Sequence, residues 1–289
     1  MDVQLRHLRA LVAVVDTGTF TDAATELGVS QAAVSRSIAA LEEALGVRVL
    51  QRTTRHVTLT GTGTQVLAGA RRILDEVTHL SRLGERQRSE LRIGYAWAAL
   101  GKHTRRVQRT WAALHPGTPL VFAHTNTLSA GLSDGTADVA VVRRALEDPR
   151  FESAHIGTEA RCAAVATDNP LARRRTLHVR DLIRYPVAID ARTGTTTLDL
   201  WSPGPAPENV RTTHSVDEWL LLIAAGQAVG ITSEATANQN PRPGVAYRML
   251  RQTPRIDVWL AWWRDDPPPH LDDLVRLSRV AYTTPPKAS

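Results

Sequence analysis

Residues 18–46 read GTFTDAATELGVSQAAVSRSIAALEEALG, and the order of their glycines, hydroxyls and apolar residues decides the fold of the N-terminus. A short helix is expected to begin near Thr19 or Thr21, bury Ala23, Ala24 and Leu27, and stop at Gly28, since glycine accepts the left-handed conformation that closes a helix. Two residues later Ser30 is placed to cap a further helix whose apolar positions Val34, Ile38, Leu41 and Leu45 fall three or four apart. That spacing turns Gln31, Ala32, Ser35 and Arg36 outward. Upstream, Leu5, Leu8, Leu11, Val12 and Val15 recur at helical spacing up to Gly18, which predicts a first helix with one buried face. Three helices with a sharp turn before the third make a helix-turn-helix.

The outward residues suit duplex DNA. Gln and Arg make paired hydrogen bonds to purine edges, Ser reaches phosphate, and the Ala32 methyl fits against a thymine methyl. After Gly46, the β-prone segments 47–50 and 57–59 flank residues 51–56, a hairpin whose tip offers Arg52, Thr53 and Arg55 to the phosphate backbone. This is a winged helix-turn-helix domain over residues 1–60.

Leu8, Gly18-Thr19-Phe20, Ala23-Ala24, Leu27, Ser30-Gln31, Val34-Ser35, Ile38, Leu41-Glu42, Leu45-Gly46, Arg52, Thr60 and Gly63 together resemble the LysR-type transcriptional regulators. Leu50 departs from the family's usual Phe but keeps a large apolar residue at that core position. The resemblance implies a sequence-specific regulator that binds promoter or operator DNA and acts with RNA polymerase.

Residues 61–88 are expected to form a linker helix. Val66, Ala70, Ile73, Val77 and Leu80 alternate spacings of four and three, a seam suited to pairing with another helix. In the family this helix makes the dimer that presents two reading heads to successive half-sites about 34–36 Å apart. A homodimer, paired into a homotetramer, is the expected assembly.

From Leu91 the pattern changes to alternating strands and helices, an α/β body over residues 89–289. Strands are expected at 91–96, 119–124 and 138–142, with helices between them. A second lobe opens with strands at 162–166 and 186–189, a helix at the capping box Ser215-Val216-Asp217-Glu218, and a strand at 229–232. Residues 257–263 return as a strand to the first lobe, giving lobes of about 89–158 plus 255–285, and about 159–254. Residues 135–140, 169–172 and 226–231 carry the family resemblance here, which implies a two-lobed domain like a periplasmic binding protein with a small effector held between the lobes.

Position relative to the strands nominates the effector site. Trp97 and Ala98 follow the first strand, Thr125 and Asn126 the second, and Arg143 ends the third. Opposite them Arg192, Thr193, Gly194 and Thr195 combine a guanidinium, hydroxyls and a glycine, a set that could dock an anion. Family members often place Ser or Thr where Ala98 and Ala99 stand, so backbone amides or the other lobe must do more here.

Composition limits the alternatives. Of 289 residues, 43% are hydrophobic and 22% charged, an ordinary globular balance. The net charge is +6, yet residues 1–90 hold 11 Arg against 10 acids, so global charge does not locate the DNA site. The single cysteine, Cys162, forms no intramolecular disulfide, no Cys/His spacing resembles a zinc site, and a cytoplasmic location is expected. No export signal or membrane-spanning run is read. Gly61-Thr62-Gly63 is followed by Val66 where a dinucleotide turn needs a third glycine, and neither a Gly-x-Ser-x-Gly elbow nor a His-Glu-x-x-His motif occurs. No catalytic residue, metal or cofactor is assigned. The rivals to a ligand-responsive regulator are one whose body only oligomerises, and an enzyme or solute receptor.

Overall fold

In a computed structural model the chain divides into two compact units, Met1–Arg86 and Gln87–Ser289. The structure describes residues 2–52, 57–83, 90–190 and 192–283, with the side chains of 52 and 81–83 left out.

The first unit is built from α1 (Leu5–Thr17), α2 (Phe20–Leu27), α3 (Gln31–Leu45), β1 (Leu50–Arg52), β2 (Val57–Leu59) and α4 (Gly61–Leu83). Thr19 caps α2 by accepting from the Asp22 amide at 3.0 Å, and Gly28 closes it at φ 64°. Leu8, Leu11, Val14, Ala23, Val34, Ile38 and Leu41 bury against one another, so the apolar stripes of three helices meet in one core. Leu50 joins that core at 4% exposure and fills the position where the resemblance had set Phe. Glu42 reaches from α3 to accept from the Val49 and Leu50 amides at 2.8 and 3.2 Å, which fixes how β1 leaves the helix. Thr60 donates to the Arg48 carbonyl at 2.8 Å and accepts from the Gly63 amide at 2.8 Å, starting α4 beside the hairpin.

Leu67 and Ala70 of α4 are buried in this same core, with Val66 packed on it. Of the expected dimer seam, Ala70 is thus buried in its own chain and Val66 is half-buried beside it. Ile73 and Leu80, 48% and 64% exposed, are left outside with half-buried Val77.

The second unit holds two sheets. The first lobe's five strands, β4 (Leu120–His124), β3 (Leu91–Tyr95), β5 (Val139–Val142), β13 (Ile256–Trp263) and β6 (Phe151–Glu159), lie in that order. β3 pairs parallel with β4 and β5, and β13 runs antiparallel to β5 and β6. The helices α5 (Thr104–Leu114) and α8 (Leu271–Thr283) cover it through Val107, Trp111, Leu274 and Val275. The second lobe's sheet runs β10 (Val210–Thr213), β9 (Val187–Asp190), β11 (Val229–Ser233), β7 (Arg161–Ala166), β12 (Val245–Leu250) and β8 (Thr176–Leu177). The short helices α6 (Val216–Ala224) and α7 (Glu234–Gln239) complete it. The chain crosses between lobes twice, from β6 to β7 and from β12 to β13. Trp219 of α6 lies under the sheet against Gly230, where a Cβ would fall 2.1 Å from its ring. Only glycine permits that approach.

One expected helix is not formed. Residues 126–137, between β4 and β5, make successive turns, because Ala130 (φ 47°) and Gly131 (φ 93°) both adopt left-handed backbone, which ends helical hydrogen bonding.

Candidate functional site

Two sites stand out, one in each unit. In the first, Ser30 begins α3 by accepting from the Ala33 amide at 3.2 Å. Gln31, Ala32 and Arg36 are exposed on the outer face of α3 and Ser35 is half-buried. An exposed N-terminal half-helix with its apolar stripe locked into a core is the form that enters a major groove. Beside it a groove of about 560 Å³ between α1 and α3 is lined by Arg6, Arg9 and Arg36. Arg6 and Arg9 were not singled out in the sequence; their signal is that each stands next to the buried stripe of α1, on the side facing α3. Thr53 and Arg55 lie outside the described residues, and of Arg52 only the backbone in β1 is described.

In the second unit the lobes meet at a cleft. Its inner end is a cavity of about 20 Å³ bordered by Trp97, Asp190, Thr193, Gly194, Thr195 and Trp219. It widens toward a mouth of about 280 Å³ that shares Trp97, Thr193, Gly194 and Thr195 and adds Leu128, Arg144 and Arg192. Trp97 stands edge-on to Trp219, with ring centroids 5.2 Å apart. The two lobes are tied beside the cleft: Thr193 donates to the Asn126 side-chain carbonyl at 3.1 Å, and the Asn126 amide donates to the His214 carbonyl. The structure thus brings Trp97, Asn126, Thr193, Gly194 and Thr195 together, with Arg192 exposed at the rim. Thr125 sits at the base of the Asn126 loop, its hydroxyl buried and without a partner among the described residues.

Three expectations change. Arg143 lines both the inner cavity and the mouth, but most of its guanidinium is engaged by the protein itself. It donates to Glu159 through Nε and Nη2, each at 2.9 Å, and to the carbonyls of Ala98 and Ala99 at 2.6 and 2.9 Å. The pair is buried, and Tyr282 adds its hydroxyl to Glu159 at 2.8 Å. Burial alone would raise the Glu159 carboxyl, but Arg143 and the hydrogen bonds from Arg143, Ser233 and Tyr282 outweigh it and hold the carboxyl below its ordinary range. Ala98 is no wall of the site: it is fully buried and serves Arg143.

The third change concerns the loop after β9. Its amides at Arg192, Thr193 and Gly194 converge at 3.0, 2.6 and 3.1 Å on Oδ1 of Asp190. The amides expected to bind an external anion are taken by the protein's own Asp190, which leaves the exposed Arg192 side chain as the loop's cationic group. The other Asp190 oxygen, buried at the inner cavity, has no partner among the described residues, and neither has the Trp97 indole N–H. Asp190 was missed in the sequence because it reads as the last residue of an apolar strand. Gln239 was missed too; it accepts from the Ala99 amide at 3.0 Å and so ties the first-lobe turn to α7.

A family model described as the bacterial regulatory helix-turn-helix protein of the lysR family matches residues 5–64, and one described as the LysR substrate binding domain matches residues 84–281. The chain belongs to the LysR family of transcriptional regulators. It is 35% identical over 209 residues to the Escherichia coli K12 HTH-type transcriptional regulator YnfL, covering 69% of this chain and 70% of that one. It is 28% identical over 247 residues to BenM of Acinetobacter baylyi, covering 81% of each. Among solved structures it resembles full-length CbnR in complex with its target DNA, at 26% identity and a TM-score of 0.56 over 96% of this chain and 99% of that one. These relatives are regulators and not enzymes. This LysR-type regulator accordingly combines an N-terminal DNA-binding domain with a C-terminal effector-binding domain, and no described helix is long and apolar enough to cross a membrane.

Proposed function

We propose that this LysR-type regulator reads its operator with the N-terminal half of α3 and responds to a small effector that brings a hydrogen-bond donor to Asp190. Gln31 and Arg36 address base edges, Ala32 a thymine methyl, and Ser30 and Ser35 the flanking phosphates. Arg52, Thr53 and Arg55 of the wing take the backbone on one side, and Arg6 and Arg9 of α1 take it on the other. The observation that carries the DNA half is the exposure of this face on a helix whose opposite side is locked into the core by Val34, Ile38 and Leu41.

For the effector, the free Asp190 oxygen and the Trp97 N–H are a buried acceptor and a buried donor on one small cavity. An effector that supplies a hydroxyl, amine or amide to the first and an acceptor to the second satisfies both, and any negative group it carries points outward to Arg192. The 280 Å³ mouth suits a molecule of modest size.

The assembly is a homodimer that pairs into a homotetramer, with the dimer resting on Ile73, Val77 and Leu80 of α4. Exposed Ile73 and Leu80 stand seven residues apart on one helix face, which favours a partner helix. The regulator acts in the cytoplasm, where its DNA lies, with RNA polymerase as the partner through which it changes transcription.

The test of the DNA half is selection of genomic fragments by the purified protein, repeated at one salt concentration with Gln31→Ala and Arg36→Ala. Recovery of an interrupted palindrome that either variant loses or relaxes supports this reading. Sequence-indifferent binding unchanged by both sinks it. For the effector, a thermal-shift screen of hydroxylated and amino compounds should yield hits that Asp190→Asn abolishes, and hits indifferent to that variant refute the assignment.

A further inference from the structure

On the first lobe, away from the strand ends that carry the cleft loops, His115, His270 and Asp273 present three metal-ligating atoms within 4.8 Å of one another. His115 ends α5, its amide donating to the Trp111 carbonyl at 2.7 Å. Its ring packs against both Trp111, at 4.3 Å between centroids, and His270, at 4.2 Å. Trp111 is fully buried, so the His115 imidazole has a rigid backing. Asp273 stands in the first turn of α8 and faces His115 Nε2 at 3.1 Å through one oxygen, while Arg276 holds the other at 2.5 Å.

His270 is the residue just before α8, and its backbone carbonyl accepts the Leu274 amide at 3.2 Å. His270 follows three consecutive prolines at 267–269 and has left-handed backbone, φ 60°, a conformation that histidine takes more readily than most non-glycine residues. Its consequence is to stand the imidazole of an exposed residue over that of a half-buried one, next to a carboxylate.

We propose that His115, His270 and Asp273 bind a divalent transition metal of the zinc, cobalt and nickel class, clamping the end of α5 to the start of α8. Two imidazoles and one carboxylate are the donor set these ions take, with remaining positions open to water. Metal–ligand bonds of about 2.0–2.2 Å put tetrahedral ligand atoms roughly 3.3 Å apart. The His115–Asp273 pair already stands at that separation, and the exposed His270 ring closes the rest by rotating about its own side-chain bonds. Sequence spacing hides the set, because its two histidines are separated by most of the second unit.

The full chain, carrying no polyhistidine tag and dialysed against chelator, should take up Co²⁺ to one equivalent per chain, with visible absorption from the bound ion. Zn²⁺ should displace the Co²⁺ and raise the thermal midpoint of the second unit. Co²⁺ should also quench the fluorescence of Trp111, the indole against which the site is built. His270→Gly removes a ligand while relieving the left-handed backbone, so it should fold at least as well as the parent yet bind metal at least about tenfold more weakly. Asp273→Asn should weaken binding similarly. His155→Ala, which removes an exposed histidine paired with Asp257 elsewhere on this lobe, should leave binding unchanged. Absence of saturable uptake, uptake undiminished in either ligand variant, or uptake lost in His155→Ala would each overturn the proposal.

Discussion

Replacing Arg143 by Met should destabilise the second unit by about 3–5 kcal/mol, because one partner of a buried ion pair is removed and the other charge stays behind. In the native unit Glu159 is 1% exposed and takes two guanidinium bonds, and the same guanidinium satisfies the carbonyls of Ala98 and Ala99. The variant leaves the carboxylate with Tyr282 and Ser233, and two carbonyls with nothing in place of Arg143. A destabilisation of this size lowers the thermal midpoint by roughly 6–20 °C for a unit of this length. All seven tryptophans lie beyond residue 90, so urea unfolding followed by tryptophan fluorescence reads the second unit selectively. Glu159→Gln should cost a comparable amount, and combining the two changes should cost less than their sum by about 2 kcal/mol, since the double variant buries no charge. Protonation adds a separate check. The Glu159 carboxyl is held below its unfolded range, so its contribution is present above about pH 4.3 and is lost as pH falls through its folded value. Acid unfolding of Glu159→Gln should lack that component. Strict additivity of the two substitutions, or an Arg143→Met cost below about 1 kcal/mol, would refute the reasoning.

Ser30→Ala removes the cap of α3 and should destabilise the first unit by about 1 kcal/mol, read by circular dichroism, with weaker operator binding because the reading helix frays from its working end. Gly230→Ala drives a Cβ to within 2.1 Å of the Trp219 ring and should cost about 1–3 kcal/mol by urea titration, accompanied by a shift in tryptophan emission. Cys162 is 4% exposed, and burial with the nearby Glu234 and Glu159 pushes its thiol up to about 12, so it should resist a thiol reagent at pH 8 until the second unit is unfolded.

The first unit was legible in the sequence because its signals are local. Apolar spacing and a closing glycine state α1 to α3 within windows of fifteen residues, and a hydroxyl stands before α2 and α3. The same signals misled at 126–137, where Ala130 takes the left-handed backbone normally left to glycine. In the second unit the buried central strands stood out by their continuous apolar runs. The edge strands did not: β8 has two residues and β10 reads Val-Arg-Thr-Thr with three of four exposed.

The cleft was legible in position and illegible in polarity, and the reason is general. That Arg143, Arg192 and the Thr193–Thr195 loop would flank it follows from where strands end, which is local information. What those groups do depends in each case on a carboxylate that no local pattern marked as their partner. Glu159, sixteen residues beyond Arg143, takes two bonds of the guanidinium and makes it a tie at the junction of the lobes. Asp190, at the end of its own strand, draws three amides inward and turns a would-be anion nest into the support of an acceptor. Both substitutions of role act in one direction: each satisfies positive or donor character that the sequence seemed to offer the ligand. Among the described residues a buried Asp190 oxygen and the Trp97 indole N–H at the inner cavity are without partners, which is why the effector proposed here is defined by the donor group it brings.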